Sequence, residues 1–185
     1  MKIKKEGLIM NTSLKKLVIA ALFAALACTA TMSIRIPTPG TGGYIHPGDA
    51  VVILSGIVLG PVWGLLAGGI GSALADLLGG YFIYVPITFV IKGLIAFTAG
   101  LIYQKIGDTK KSRYAAVILG GIVDIIFVAA GYFLCEAVMY GMAAAASIPA
   151  NIIQGTSGLI LAVVLYPVLI AIPDISQMAL RTKTS

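Results

Sequence analysis

Apolar residues fall along this chain in long unbroken runs, and the polar positions gather at a few points between them. Runs of about 20 apolar residues match the length at which a helix crosses a bilayer. The pattern predicts six apolar helical segments, at about 14–34, 49–59, 62–79, 85–104, 114–140 and 150–172. The second is too short for a straight span and is expected to pack inside the bundle or stop part-way. Gly60-Pro61 breaks it from the third. The expected fold class is an all-α integral membrane protein, a six-helix transmembrane bundle over residues 14–172. A cytoplasmic N-terminal segment over 1–13 and a cytoplasmic C-terminal tail over 173–185 flank it.

Composition agrees with the pattern. Of 185 residues, 59% are hydrophobic and 11% charged, against about 25% charged in soluble domains. The net charge of +6 does not point to nucleic acid, because the basic residues flank apolar segments. Lys2, Lys4, Lys5, Lys15 and Lys16 precede the first segment; Lys105, Lys110, Lys111 and Arg113 join the fourth and fifth; Arg181 and Lys183 follow the sixth. With six spans these regions share one side, and the excess of basic residues makes that side, with both termini, cytoplasmic. The basic start followed by an apolar run also has the outline of a signal peptide. Because the run continues to Ile34, an uncleaved first helix is expected; Met10 offers a second start. Cys28 and Cys135 lie in apolar segments and read as buried free thiols. With one histidine and no ligand spacing, no metal is expected.

Small residues mark close helix contacts. The third segment carries Gly64, Gly68, Gly71, Ser72, Ala75 and Gly79, read as packing within the bundle. In the first segment Ala20, Ala21, Ala24 and Ala25 form two Ala-x-x-x-Ala spacings, suited either to packing or to docking a partner protein.

Four ionisable residues, Asp76, Lys92, Asp124 and Glu136, interrupt the apolar runs. A charge at the bilayer centre costs roughly 2.5–3.5 kcal/mol on insertion scales, so such residues commonly serve a function. Counting along the helices puts Asp49 at the outer surface, Asp76 and Glu136 one turn below it, and Asn151, Gln154 and Ser157 in the first two turns of the sixth segment. Lys92 falls two turns down the fourth. Tyr44, His46, Tyr81, Tyr84 and Tyr140 ring the same level. Each has a simpler role available: Asp49 as a helix cap, His46 as a loop residue, the tyrosines as an interfacial belt, and Lys92 as an ion-pair partner of Asp124. Taken together, Tyr44, His46, Asp49, Asp76, Tyr84, Lys92, Glu136, Tyr140, Asn151 and Gln154 are the candidate substrate-binding residues. Carboxylates, amides and tyrosines suit a small aromatic heterocycle, whose face stacks on phenol rings and whose edge meets the polar groups. A phosphate would call for several Arg or Lys.

The stretch from Pro39 to Lys92 carries Gly-Gly-Tyr-Ile-His-Pro-Gly-Asp, Gly-Pro-Val-Trp-Gly, Ala-Gly-Gly-Ile-Gly-Ser-Ala-Leu-Ala-Asp and Pro-Ile-Thr-Phe-Val-Ile-Lys-Gly. It resembles the substrate-binding membrane subunits (S components) of energy-coupling factor vitamin transporters, in the branch associated with hydroxymethylpyrimidine, pyridoxine and riboflavin. The resemblance implies a subunit that captures a vitamin without itself being an enzyme. It also implies a membrane coupling subunit and two cytoplasmic ATPases as partners, in the plasma membrane of a bacterium. The Ala20/Ala24 and Ala21/Ala25 spacings match the family's docking face and the loop from Arg35 to Gly48 its substrate gate. This chain has no phosphate-binding loop, so it needs no cofactor and any ATP is used by partners. Two other classes compete. Gly155-Thr156-Ser157-Gly158 resembles the nucleophile motif of rhomboid-type intramembrane serine proteases, for which His46 is the one candidate base. A channel or self-sufficient transporter would need more helices or an inverted repeat.

Overall fold

The computed structural model describes residues 12–181; Lys2, Lys4, Lys5, Met10 and Lys183 lie outside the described residues. Among the described residues eight α-helices follow one another: α1 (Thr12–Ser33), α2 (Asp49–Leu59), α3 (Pro61–Gly79), α4 (Tyr84–Ile106), α5 (Lys110–Ile126), α6 (Tyr132–Tyr140), α7 (Ile148–Ile170) and α8 (Pro173–Arg181). A two-stranded ribbon, β1 (Ile36–Pro37) against β2 (Tyr44–Ile45), lies between α1 and α2. Among the described residues, four helical runs are long and apolar enough to cross a membrane: Ser13–Ser33, Pro61–Gly79, Tyr84–Ile106 and Lys110–Ile170. The last doubles back at a 3-10 turn, Gly141–Ser147. Gly121 then meets Leu159 and Gly155 meets Ile125, an antiparallel register of α5 on α7.

The apolar segments read from sequence correspond to α1, α2, α3, α4, the α5–α6 pair and α7. Helix α2 covers Asp49–Leu59, and every residue from Asp49 to Leu59 except Val51 is buried. At 1.5 Å per residue it is about half a bilayer long, and its neighbours α1, α3, α4, α5, α7 and α8 enclose it. It ends because Gly60 adopts φ 82°, a conformation open to glycine, and Pro61 starts α3 at a position that needs no N–H donor.

Close backbone contacts hold α2, α3 and α4 together. A Cβ on Gly56 would stand 2.0 Å from the Ala96 carbonyl oxygen, and one on Gly64 would stand 2.5 Å from the Gly56 Cα. Gly71 meets the backbone of Ala24, where an added Cβ would lie 2.3 Å from the carbonyl oxygen. The glycine face of α3 is therefore spent inside the bundle. Gly56→Ala is expected to cost at least 2–3 kcal/mol, the upper end for overpacking, because backbone cannot rotate away. Gly93→Ala, whose Cβ would meet the flexible Leu65 side chain at 3.2 Å, should cost less. Thermal midpoints of the two purified variants in one detergent test this; equal losses would contradict it.

The C-terminal tail expected over 173–185 is instead helical over Pro173–Arg181. Met178 and Ala179 are buried, and α8 packs against α2 and α7. Pro173 and Asp174 favour a helix start. Ile175, Met178 and Ala179 recur at helical spacing, giving a short amphipathic helix that its low mean hydropathy conceals. Lys15 of α1 pairs with Asp174.

Candidate binding site

The loop between α1 and α2 descends into the bundle rather than lying across it. The ribbon turns on Thr38, Thr41 and Gly43, with the Thr38 N–H donating to the Gly43 carbonyl at 3.1 Å and the two threonine hydroxyls 2.7 Å apart. The loop is fixed from both flanks. Tyr44 Oη donates to Asp76 Oδ1 of α3 at 2.7 Å, and the His46 backbone N–H donates to Gln154 Oε1 of α7 at 3.1 Å. Arg35 lies over the rings of Tyr44 and Tyr81, 5.4 and 6.0 Å from their centroids, adding a cation–π contact at the hinge.

Beneath this strap lies a cavity of ≈ 340 Å³ counting its mouth. Seven of the expected residues line it: Tyr44, His46, Asp76, Tyr84, Glu136, Asn151 and Gln154. Thr38 and Gly43, from the loop between Arg35 and Gly48, line it too, as do Thr88 and Tyr132, which the sequence does not single out. Both Glu136 oxygens are engaged: Tyr84 Oη donates to Oε1 at 3.0 Å and Ser147 Oγ to Oε2 at 2.7 Å. Asp76 differs, since its Oδ2 is buried and makes no hydrogen bond of normal geometry, with the Thr88 hydroxyl standing near the carboxyl. Thr88 and Tyr132 share a hydrogen bond of 2.9 Å across the cavity wall.

Thr88 lies one turn from Lys92, and Tyr132 one turn from Glu136, so the (i, i+4) rule applied to the singled-out charges finds both. A π-helical turn, Phe127–Gly131, separates α5 from α6. Four-residue steps overshoot an α-helical turn by about 40° each. The wider π turn takes up that drift, which keeps Asp124, Val128 and Glu136 all buried. Such turns concentrate at functional sites.

Three expected site residues stand outside the cavity lining. Tyr140 is at the rim, 39% exposed, with its hydroxyl over Gly42. Lys92 and Asp49 form a fully buried ion pair. The residue-count estimate had put Asp49 at the outer surface and Lys92 beside Asp124. The first residue of α2, Asp49, instead stands opposite Lys92, which lies about two turns along α4. Gln154 Nε2 completes the pair, donating to Asp49 Oδ2 at 2.8 Å. Gly48, not Asp49, is the residue before α2, and no side chain caps that helix. Asp124 is buried with neither oxygen hydrogen-bonded; its Oδ2 and the Asp49 Cβ both pack on Gly158.

His46 is buried, and its Nδ1 accepts from the Gly48 N–H at 3.1 Å. Burial pushes its pKa down from 6.5 to about 4; Lys92 and Arg35 add to this and Asp49 opposes it. The strap thus holds a neutral imidazole, protonated on Nε2. Burial and the bond to Asp76 likewise raise the Tyr44 phenol above its usual range. With the folded value below the unfolded one, His46 favours the closed strap fully above pH 6.5. That contribution is lost as pH falls toward 4. The thermal midpoint is expected to drop across this window, by the equivalent of about 1–3 kcal/mol. His46→Asn, which keeps an acceptor for Gly48, should flatten that part of the profile; an identical slope in the variant would remove His46 from the account.

On α1, Ala20 is buried and Ala24 backs onto α3, while Ala21 and Ala25 are exposed. Only the second Ala-x-x-x-Ala pair therefore faces outward. The serine-hydrolase arrangement does not assemble: Ser157 Oγ donates to the Gln154 carbonyl in its own helix at 2.7 Å, and His46 Nδ1 is engaged by Gly48.

A bundle of apolar helices with a polar cavity beneath a fastened loop at one end has the form of a membrane protein with a small-solute pocket. The ECF-type riboflavin transporter S component family matches residues 11–171, and the chain belongs to that family of transporter subunits, which are not enzymes. It is 30% identical over 161 residues to the thiamine precursor transporter HmpT of Lactococcus lactis, covering 86% of this chain and 90% of that one. It is 38% identical over 134 residues to an uncharacterized protein of Pyrococcus woesei, covering 71% and 85% respectively. A solved S component of a bacterial ECF transporter has the same fold, with a TM-score of 0.65 and 24% identity over 86% of this chain and 98% of that chain.

Proposed function

We propose that this chain is the substrate-capture subunit of an energy-coupling factor importer, with hydroxymethylpyrimidine or pyridoxine as its ligand in preference to riboflavin. The residues lining the cavity and the likeness to a known relative carry the choice. Tyr44, Tyr84 and Tyr132 offer phenol rings on which one aromatic ring of a ligand can pack. The unfilled Asp76 Oδ2 suits a ligand edge that donates N–H or O–H, and Asn151 offers an amide in the same lining. The likeness to a thiamine precursor transporter favours the same reading.

In this reading both termini are cytoplasmic and the cavity faces outward in a bacterial plasma membrane. Ala21 and Ala25 belong to the surface that meets a membrane coupling subunit. Two cytoplasmic ATPases supply the energy, and this chain binds its vitamin without ATP or any other cofactor. Calorimetry on the purified protein is the test. Hydroxymethylpyrimidine or pyridoxine should bind tightly at one per chain, and riboflavin should not. Copurification of a yellow flavin, or tight riboflavin binding, would overturn the choice of ligand.

A further inference from the structure

A second crevice opens at the end of the bundle opposite the cavity, between the start of α5 and the end of α7. It is lined by Lys110, Arg113, Tyr114, Tyr166, Pro167 and Ile170, and offers ≈ 720 Å³ counting its mouth. Its two sides differ in chemistry. The lip is cationic: Lys110 is exposed, and Arg113 is fixed by its Nε donating to the Gly107 carbonyl at 3.1 Å. The turn between α4 and α5 reinforces it, setting Lys105, Lys110, Lys111 and Arg113 against the single acid Asp108.

The other side is aromatic and apolar. Tyr166 packs edge-on against Tyr114 at 5.2 Å and shares a hydrogen bond of 2.9 Å with Tyr103, which makes that wall rigid. Pro167 and Ile170 continue the wall toward Val168 and Ile172, which are exposed on the apolar outside of the bundle.

We propose that this crevice binds one anionic phospholipid. The phosphate meets Lys110 and the planar guanidinium of Arg113, and an acyl chain lies along Tyr114, Pro167 and Ile170. Basic clefts between membrane helices recognise acidic headgroups in this way, and each Lys or Arg near an anionic surface contributes about 1 kcal/mol. A free phosphate would use the lip but not the apolar wall, whose continuity with the lipid-facing surface favours a lipid. The inference does not depend on which vitamin fills the cavity.

Native mass spectrometry of delipidated protein tests this, with phosphatidylglycerol and phosphatidylcholine of identical chains added in turn. Phosphatidylglycerol should give a one-to-one adduct at roughly tenfold or more lower concentration than phosphatidylcholine. Lys110→Gln should weaken it about fivefold, the equivalent of one charge, and Lys110→Gln with Arg113→Gln should abolish the preference. Lys105→Gln with Lys111→Gln, at the same level but outside the crevice, should leave it intact. Lys110→Gln alone keeps the test decisive if loss of the Arg113–Gly107 bond unfolds the double variant. Equal loss in both pairs would reduce the effect to diffuse attraction and overturn the site. Displacement by millimolar inorganic phosphate, equal binding of phosphatidylcholine, or a protein dimer in place of the adduct would overturn it as well.

Discussion

Replacing Lys92 by methionine is expected to destabilise the bundle by about 3–5 kcal/mol, the range for breaking a buried ion pair by removing one partner. Lys92 and Asp49 are both 0% exposed, so neither can turn to water. Without the lysine, Asp49 keeps one hydrogen bond from Gln154, and Asp124, packed on the same glycine, has none. Two buried acids are then left without a cation. Asp49→Asn is expected to cost less, about 1–3 kcal/mol, because Lys92 retains Asp124 as a nearby acid and the asparagine still accepts from Gln154. Thermal unfolding of Lys92→Met, Asp49→Asn and Asp124→Asn in one detergent separates these effects. Similar losses for the first two would mean that Asp124 does not act as the reserve acid. An unchanged midpoint in Lys92→Met would remove the ion pair from the stability account.

Asp76→Asn is expected to weaken vitamin binding by about 1.5–3 kcal/mol, roughly ten- to a hundredfold, the worth of a hydrogen bond to a charged acceptor. Its thermal midpoint should hardly move, because the amide oxygen still accepts from Tyr44 while the vacant oxygen is the one replaced. Glu136→Gln should behave differently. Both Glu136 oxygens already bind Tyr84 and Ser147, so affinity and thermal midpoint should fall together. Calorimetry and melting curves on the same samples distinguish the two. Unchanged affinity in Asp76→Asn would refute the role of its free oxygen.

The sequence made most of the helices visible because run length and glycine-proline breaks are local properties. The short α2 was recognisable as an interior element for the same reason. Depth was less legible. Counting residues from the helix ends assumed that each helix begins at the surface, and the loop carrying His46 and Gly48 breaks that assumption. This is why Asp124, and not Asp49, stands out in the sequence as the alternative partner for Lys92. Thr88 and Tyr132 escaped notice because a threonine or a tyrosine in an apolar helix is unremarkable until a neighbouring charge fixes which face points inward. Helix α8 was missed because its amphipathic pattern is too short to stand out from a polar tail. The π turn leaves no compositional sign; only the four-residue recurrence from Asp124 to Glu136 hints at it.

The strap over the cavity has a kinetic consequence. Tyr44 is fastened to α3 and His46 to α7, so any widening of the mouth on the loop side has to break both bonds. A molecule held beneath the loop would leave more slowly for it, without a single added contact to the molecule itself.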